Sequence, residues 1–286
     1  MRERWRHLAG AVIAVAGVGC FDAAEEPSCT VVCGAGDLCP SGMSCSEGLC
    51  TDGPTCFDED NDRIVDSLDS CPGIANPRID GGQPDVDSDG VGDACDPNPA
   101  TAGDAIALAE MFGADLGRAM VGTDWQWASS GAVVSPPVPQ NSPEHTLTLP
   151  PIAARVATIE VGFELIDLGP DNSGSGSNDN LVAFRLASTS DTGLCRLVDN
   201  DHENAVTDVT VGPPPDEARD AQSAVQVATK YVVRLWQDAD AWRCRVTGDI
   251  VSFPATPAAA PGSITASVTT QSMQAAIHHI VVYSSP

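Results

Sequence analysis

Residues 58–96 read DEDNDRIVDSLDSCPGIANPRIDGGQPDVDSDGVGDACD and carry the most specific chemistry in the chain. Asp58, Asp60, Asp62, Asp66 and Asp69 stand at positions 1, 3, 5, 9 and 12 of one loop, with Ile64 at position 7. Asp85, Asp87, Asp89, Asp93 and Asp96 repeat those offsets, with Gly90 at position 6 and Val91 at position 7. A calcium ion takes about six to eight hard oxygens, and alternating carboxylates with one main-chain carbonyl at position 7 let a short loop curl around it. Both sets of aspartates, with the carbonyls of Ile64 and Val91, are therefore expected to hold calcium.

An EF-hand would need glutamate at position 12 and a helix on either side. Position 12 is aspartate in both loops, and Cys71-Pro72-Gly73 leaves no room for an exiting helix after the first. The stretch resembles the thrombospondin type 3 repeat instead: spaced aspartates, then Cys71-Pro72, then Asn76-Pro77, then the run Asp85 to Asp93 closing on Cys95. That resemblance implies an irregular arm built around calcium ions, and a disulfide between Cys71 and Cys95. Arg63 departs from the usual glycine at position 6, and Asp80-Gly81-Gly82-Gln83-Pro84 looks inserted, so the first site is expected to be weaker or distorted. The competing reading is a disordered acidic linker. Matched offsets around a Cys-Pro and a Cys argue against it. Carboxylates packed within ~4–6 Å raise one another's pKa, so this stretch should be ordered with calcium and expanded without it.

The chain has 286 residues, a formal charge of -26 and a pI near 4.1. Such acidity speaks against nucleic acid or an anionic membrane surface as partner, since both call for basic patches. Lys230 is the only lysine, which disfavours phosphate grips. Eleven cysteines read as a disulfide framework in an oxidising compartment. Arg2, Arg4 and Arg6 precede a short apolar run, Leu8 to Gly19, that is too short to span a bilayer and reads as an export signal. Gly17-Val18-Gly19-Cys20 resembles a bacterial lipoprotein processing site, which implies lipidation of Cys20; Gly17 departs from the aliphatic residue preferred there. The alternative is an ordinary signal cut near Ala23 or Ala24. Either leaves ten cysteines, an even number.

Six cysteines (Cys29, Cys33, Cys39, Cys45, Cys50, Cys56) fall among glycine, serine and proline in a segment too short to fold without crosslinks. Their connectivity stays open among the possible pairings. Zinc would need paired CxxC motifs or a histidine at ligand spacing, and neither occurs there.

Beyond Pro97-Asn98-Pro99 the texture changes to short alternating runs separated by turns, the pattern of an all-β sandwich. Ile159, Val161, Phe163 and Leu165 should face the core, and Glu160, Gly162 and Glu164 the other side. Runs at 181–187, 194–198, 231–236, 242–247, 264–268 and 279–283 read likewise. Ala105 to Phe112, rich in alanine and leucine, reads as one short helix. The order of strands, with YVVRLWQDADAWRCRVTG and a closing IHHIVVYS, resembles the concanavalin A-like or laminin G-like sandwiches, which include lectins and glycosidases. Cys195 and Cys244 are expected to pair, across the sandwich or between neighbouring strands, and to contribute about 3–4 kcal/mol.

Glycosidases of that fold work with two carboxylates. Glu160, Glu164 and Asp167 are the candidates, but Gly162 takes the middle position and Asp167 falls off the alternation, so a solvated outer face is the reading preferred. His278 and His279 are adjacent on a strand and should point to opposite faces, with no shared ion; His202 stands apart. Trp125 with Trp127, and Trp236 with Trp242, are candidate sugar platforms that read more readily as core.

The sequence thus describes a mainly β protein: a signal peptide (1–19), a tether (20–28), a cysteine-rich knot (29–56), a calcium-binding irregular arm (57–100) and a C-terminal jelly-roll β-sandwich (101–286). Its expected role is structural or adhesive binding at the cell surface, without catalysis. The partners expected are a lipid anchor in the membrane and an extracellular protein or glycan ligand, with no nucleic acid. The alternative is a lectin-like protein or degenerate glycoside hydrolase.

Overall fold

The structure is a computed structural model that describes residues 29–285, apart from 47, 54, 113–123, 129–130, 138–142, 155, 170–179, 189–190, 200–204, 207, 213–215, 221–224, 239, 247–249 and 255–261. The signal, the tether, Cys20 and His202 lie outside the described residues.

In the knot, β1 (Ser44–Ser46) pairs with β2 (Leu49–Thr51). Disulfides join Cys29 to Cys56, Cys33 to Cys45 and Cys39 to Cys50. With its cysteines oxidised in pairs, this segment offers no thiolate to zinc. Its small buried cluster of Leu49 and Cys56 is completed by Val65 of the acidic segment.

The sandwich begins with β3 (Ala105–Met111), β4 (Gln126–Ala128), β5 (Ala132–Val134), β6 (His145–Thr148), β7 (Ile152–Ala154) and β8 (Val156–Asp167). It continues with β9 (Asn180–Ala187), β10 (Thr192–Asp199), β11 (Ala205–Val206), β12 (Asp208–Val211), β13 (Ala218–Asp220) and β14 (Val225–Gln226). The last strands are β15 (Lys230–Asp238), β16 (Ala241–Arg245), β17 (Val251–Pro254), β18 (Gly262–Gln271) and β19 (Gln274–Ser285).

One sheet runs β17-β16-β15-β8-β19-β5-β4, with β3 also paired to β19; the other runs β13-β12-β10-β9-β18-β6, with β7 also paired to β18. All of these pairings are antiparallel, and the fold is a two-sheet sandwich of the jelly-roll kind. Ile159, Val161, Phe163 and Leu165 of β8 project into the core, where Phe163 meets Phe184 of the facing sheet at a ring separation of 5.3 Å. Cys195 of β10 and Cys244 of β16 are joined, so their disulfide crosses from one sheet to the other.

Residues 105–112 correct the helix expected there. Ala105 to Met111 form β3, an edge strand that pairs with Ser284 to His279. Alanine and leucine favour a helix locally, but Leu108 packs on the sandwich core and Ile106 on a second apolar cluster, and only an extended strand along β19 serves both.

The second correction sets up the functional site. The outer face of β8 is buried over its first half, where Thr158 is 3 % exposed and Glu160 0 %. The acidic segment lies across it. Cys71, Val91 and Cys95 pack on Val281 and Tyr283 of β19, with Ile74, Ile106, Ala109 and Met111 around them. A β-carbon on Gly73 would meet His279 Nε2 at 2.4 Å and Glu160 Oε1 at 2.7 Å, so only glycine lets the segment approach this closely. Arg234 donates from Nη2 to the carbonyl of Cys95 at 2.6 Å, and Lys230 Nζ to Glu59 Oε1 at 3.3 Å.

Candidate metal centre

Apart from a 3-10 turn at Asp66–Leu68, the acidic segment is irregular, and side-chain carboxylates shape it. The two loops do so in parallel, at an offset of 27 residues. Asp58 accepts from the Arg63 N–H at 2.8 Å, as Asp85 does from Gly90 at 3.1 Å. Asp62 Oδ1 accepts from Ile64 at 2.9 Å, and Asp89 Oδ1 from Val91 at 3.0 Å. Asp66 takes the N–H of Glu59 at 2.9 Å, and Asp93 that of Val86 at 2.8 Å. Asp69 accepts from Cys71 at 2.8 Å, and Asp96 from Asn98 at 2.6 Å. Left-handed backbone recurs as well, with φ of +63° at Asn61 and +64° at Ser88, then +76° at Arg63 and +97° at Gly90. Arg63 therefore adopts the conformation that glycine would supply, at a cost of about 1 kcal/mol, and the first loop keeps the shape of the second.

This scaffold gathers Asp58, Asp60 and Asp62 in one place and Asp85, Asp87 and Asp89 in another, with one carboxylate oxygen from each member within 4.8 Å of the others. Several of these oxygens are buried with no hydrogen-bond partner: Oδ2 of Asp60 and both oxygens of Asp87, together with Oδ2 of Asp69 and of Asp96. Burial, reinforced by repulsion from Asp69 and Asp62, pushes Asp60 up to about 8. Unsatisfied buried carboxylates of this kind fit a hard, oxygen-loving cation. The Ile64 and Val91 side chains turn inward, at 4 % and 1 % exposure, and anchor each loop at position 7. Asp66 and Asp93 brace their loops through the main chain. Cys71 and Cys95 are disulfide-bonded, pinning the end of the first loop to the end of the second.

Beneath the first loop the sheet presents a second polar group. A bulge in β19 between Ile277 and His279 offsets its pairing with β8. An extra residue at a bulge breaks the alternation of faces. His278 and His279 consequently both face the acidic segment, contrary to the opposed orientation expected for neighbours on a regular strand. His278 Nε2 lies 3.6 Å from Glu164 Oε2, and His279 Nε2 lies 3.9 Å from Glu160 Oε1. Burial lowers both imidazoles, His279 to about 3. Burial raises Glu160 to about 7, against the pull of Arg234, whose Nε lies 3.7 Å away. His278 and His279, with Glu59, Asp60, Gly73 and Lys230, line a cavity of about 260 Å3. Glu160 does not stand on a solvated face, whereas Glu164 keeps 29 % of its side chain exposed, and exposed Asp167 accepts the Gly169 N–H at 2.8 Å.

Trp125 belongs to the sandwich core, and Trp127 packs on that core, meeting Phe112 edge-on at 5.5 Å. Trp242 is also core, donating to Asp191 at 3.0 Å. Trp236 differs. With Arg234, Arg245, Thr158 and Ile250 it lines an outer-face cleft of about 190 Å3, walled by Asp96 and Pro97. Reading along the sequence did not single out Arg234, Gly73 or Asp104, because their importance lies in the contact between segment and sheet.

No family description matches the chain, and no curated protein does. Solved structures with a similar strand layout include a non-specific endo-β-1,3(4)-glucanase of family GH16, at 10 % identity and TM-score 0.45, covering 65 % of this chain and 93 % of that one. The carbohydrate-binding module CBM66 from Bacillus subtilis gives 11 % identity and TM-score 0.39, covering 61 % and 98 %. The exoplasmic/lumenal domain of VIP36, in a form bound to Ca2+ and Man3GlcNAc, gives 11 % identity and TM-score 0.41, covering 57 % and 82 %.

Proposed function

We propose that this chain is an exported calcium-binding protein of the cell surface, in which calcium holds the acidic segment as a clamp on the β-sandwich, and that its role is structural or adhesive. One observation carries this reading: two loops with matching hydrogen bonds each converge three carboxylates within 4.8 Å, and buried oxygens among them have no partner. Under it, Asp58, Asp60 and Asp62 with the Ile64 carbonyl hold one ion, and Asp85, Asp87 and Asp89 with the Val91 carbonyl another. Asp69 and Asp96 close the loops. Five disulfides suit an oxidising compartment. Tethering through a lipid on Cys20 completes the proposal, and mass spectrometry of the mature N-terminus tests it.

A non-catalytic role is supported by the burial of Glu160 beneath Gly73, where no saccharide could reach it. Calorimetric titration of the purified ectodomain tests the central reading. Calcium uptake below millimolar concentration is expected, and none at that concentration would remove it.

The outer cleft favours a second reading, binding of a glycan. Trp236 offers an aromatic face and Arg234 and Arg245 offer positive charge, a set that suits an acidic saccharide. A glycan array on the wild type and Trp236→Ala decides it: signal lost in the variant supports the cleft, whereas no binding by the wild type removes this reading.

A further inference from the structure

The knot holds two of its disulfides in contact. Cys33 is bonded to Cys45 and Cys39 to Cys50, yet Cys33 Sγ and Cys39 Sγ lie 3.8 Å apart. The sulfurs of Cys33, Cys39 and Cys50 all fall within 4.8 Å of one another. The Cys29–Cys56 disulfide stands outside this group.

The backbone around these four cysteines suits a second set of partners. Gly34 and Leu38 exchange both main-chain hydrogen bonds, at 2.8 and 3.3 Å, so Cys33 and Cys39, one step further out, face each other at a non-hydrogen-bonded position. Cys45 of β1 is paired directly with Cys50 of β2. That position is non-hydrogen-bonded as well, because Cys50 gives its N–H to the Val31 carbonyl at 2.7 Å and accepts the Cys29 N–H at 2.8 Å. Facing residues at such positions have α-carbons about 4.5 Å apart. A disulfide spans about 4.4–6.8 Å between α-carbons, so Cys33–Cys39 and Cys45–Cys50 can each form with little movement of the backbone. Access differs within the group: Cys39 is half-buried and Cys50 fully buried. A thiolate arriving from solvent therefore meets Cys39, with Cys50 as the leaving group.

We infer that these two disulfides form a thiol–disulfide exchange centre whose co-reactant is a small thiol, and that it interconverts the knot with a second form paired Cys33–Cys39 and Cys45–Cys50. The incoming thiolate bonds to Cys39 Sγ; the Cys39–Cys50 bond breaks and Cys50 leaves as thiolate. Cys50 then attacks Cys45 across the hairpin and displaces Cys33. Cys33, 3.8 Å from Cys39, closes on it and expels the thiol. Three sulfur–sulfur bonds form and three break, so nothing is oxidised or reduced overall and the thiol returns unchanged. The observed pairs close longer loops than the exchanged ones, constrain the unfolded chain more, and are the resting form. What the exchange alters is the attachment of the loop from Cys33 to Cys39, which presents Leu38 at 70 % exposure. Two disulfides tie that loop to the hairpin at rest; after exchange only main-chain bonds do, such as that from the Cys33 N–H to the Gly48 carbonyl at 2.8 Å.

Disulfide mapping of the oxidised full chain after incubation with reduced glutathione tests this. The reaction is quenched in acid, and cleavage at Asp37, Met43 and Glu47 puts the four cysteines on separate peptides, whose linkage mass spectrometry reads. Cys33 joined to Cys39 and Cys45 to Cys50 in roughly a tenth of the molecules, absent without glutathione and with Cys29–Cys56 intact, is the expected result. Finding only the resting pairs, up to the glutathione concentration that first reduces Cys39–Cys50 to free thiols, overturns the exchange. New pairs that join Cys33 to Cys50, or that draw in Cys29 or Cys56, overturn it as well, because they mark general scrambling.

Discussion

The two acidic loops share a backbone and differ in their surroundings. Their hydrogen bonds correspond pair by pair, down to the left-handed residues. Yet the first reaches that shape with Arg63 where the second has Gly90, and its Gly73 is pressed onto the sheet while Ala100, the residue at the same offset, is exposed. Carboxylate spacing alone therefore dictates the loop. What lies around each loop decides how it is used: the first is wedged over the polar patch of Glu160 and His279, and the second approaches the chain where the sandwich begins and ends.

The sharpest way to break this comparison is to give the two loops the same contact. Gly73→Ala places a β-carbon against His279 and Glu160, and should cost about 2–3 kcal/mol by overpacking, whereas Ala100→Gly should change stability by less than about 0.5 kcal/mol. Urea unfolding of both variants with calcium present checks it. Similar midpoint shifts would mean that the first loop is not seated as described.

Next in size is the group beneath. Glu160 is raised from 4.5 to about 7 in the folded protein, chiefly by burial. Its folded pKa exceeds the unfolded one, so the stability it contributes is complete below about pH 4.5 and is lost as pH rises through about 7. Glu160→Gln should therefore stabilise at pH 8 by about 1–3 kcal/mol and give no gain at pH 4. Equal midpoint differences at the two pH values would contradict burial as the dominant influence on this acid. A smaller effect comes from Arg63→Gly, which relieves a left-handed side chain and should strengthen calcium binding at the first loop several-fold, for about 1 kcal/mol. Calorimetric titration would reveal a first loop indifferent to the change.

Much of this was legible along the chain. The aspartate offsets mark both loops, and the alternation of Ile159, Val161, Phe163 and Leu165 marks a central strand, because periodicity reports which side chains share a face. What the alternation could not tell is what covers the opposite face. Glu160 and Gly162 look like part of a solvated row until the acidic segment is laid over them, while Glu164 at the end of the row stays partly exposed. His278 and His279 were misplaced because a bulge leaves no mark in a run of apolar neighbours. Residues 105–111 mislead through alanine's local preference, which the open edge of β19 overrides. The knot's connectivity was undecidable, since cysteine spacing constrains pairing only through a backbone path not yet known.

Hydrogen exchange on the full chain, with calcium and then with chelator, tests most directly whether cations hold the segment on the sheet. With calcium, the amides of Ile64 and Val91 should be protected; chelation should speed their exchange by tenfold or more, while Phe184 and Val268 in the opposite sheet stay protected. Exchange at Ile64 and Val91 unchanged by chelator would contradict the account.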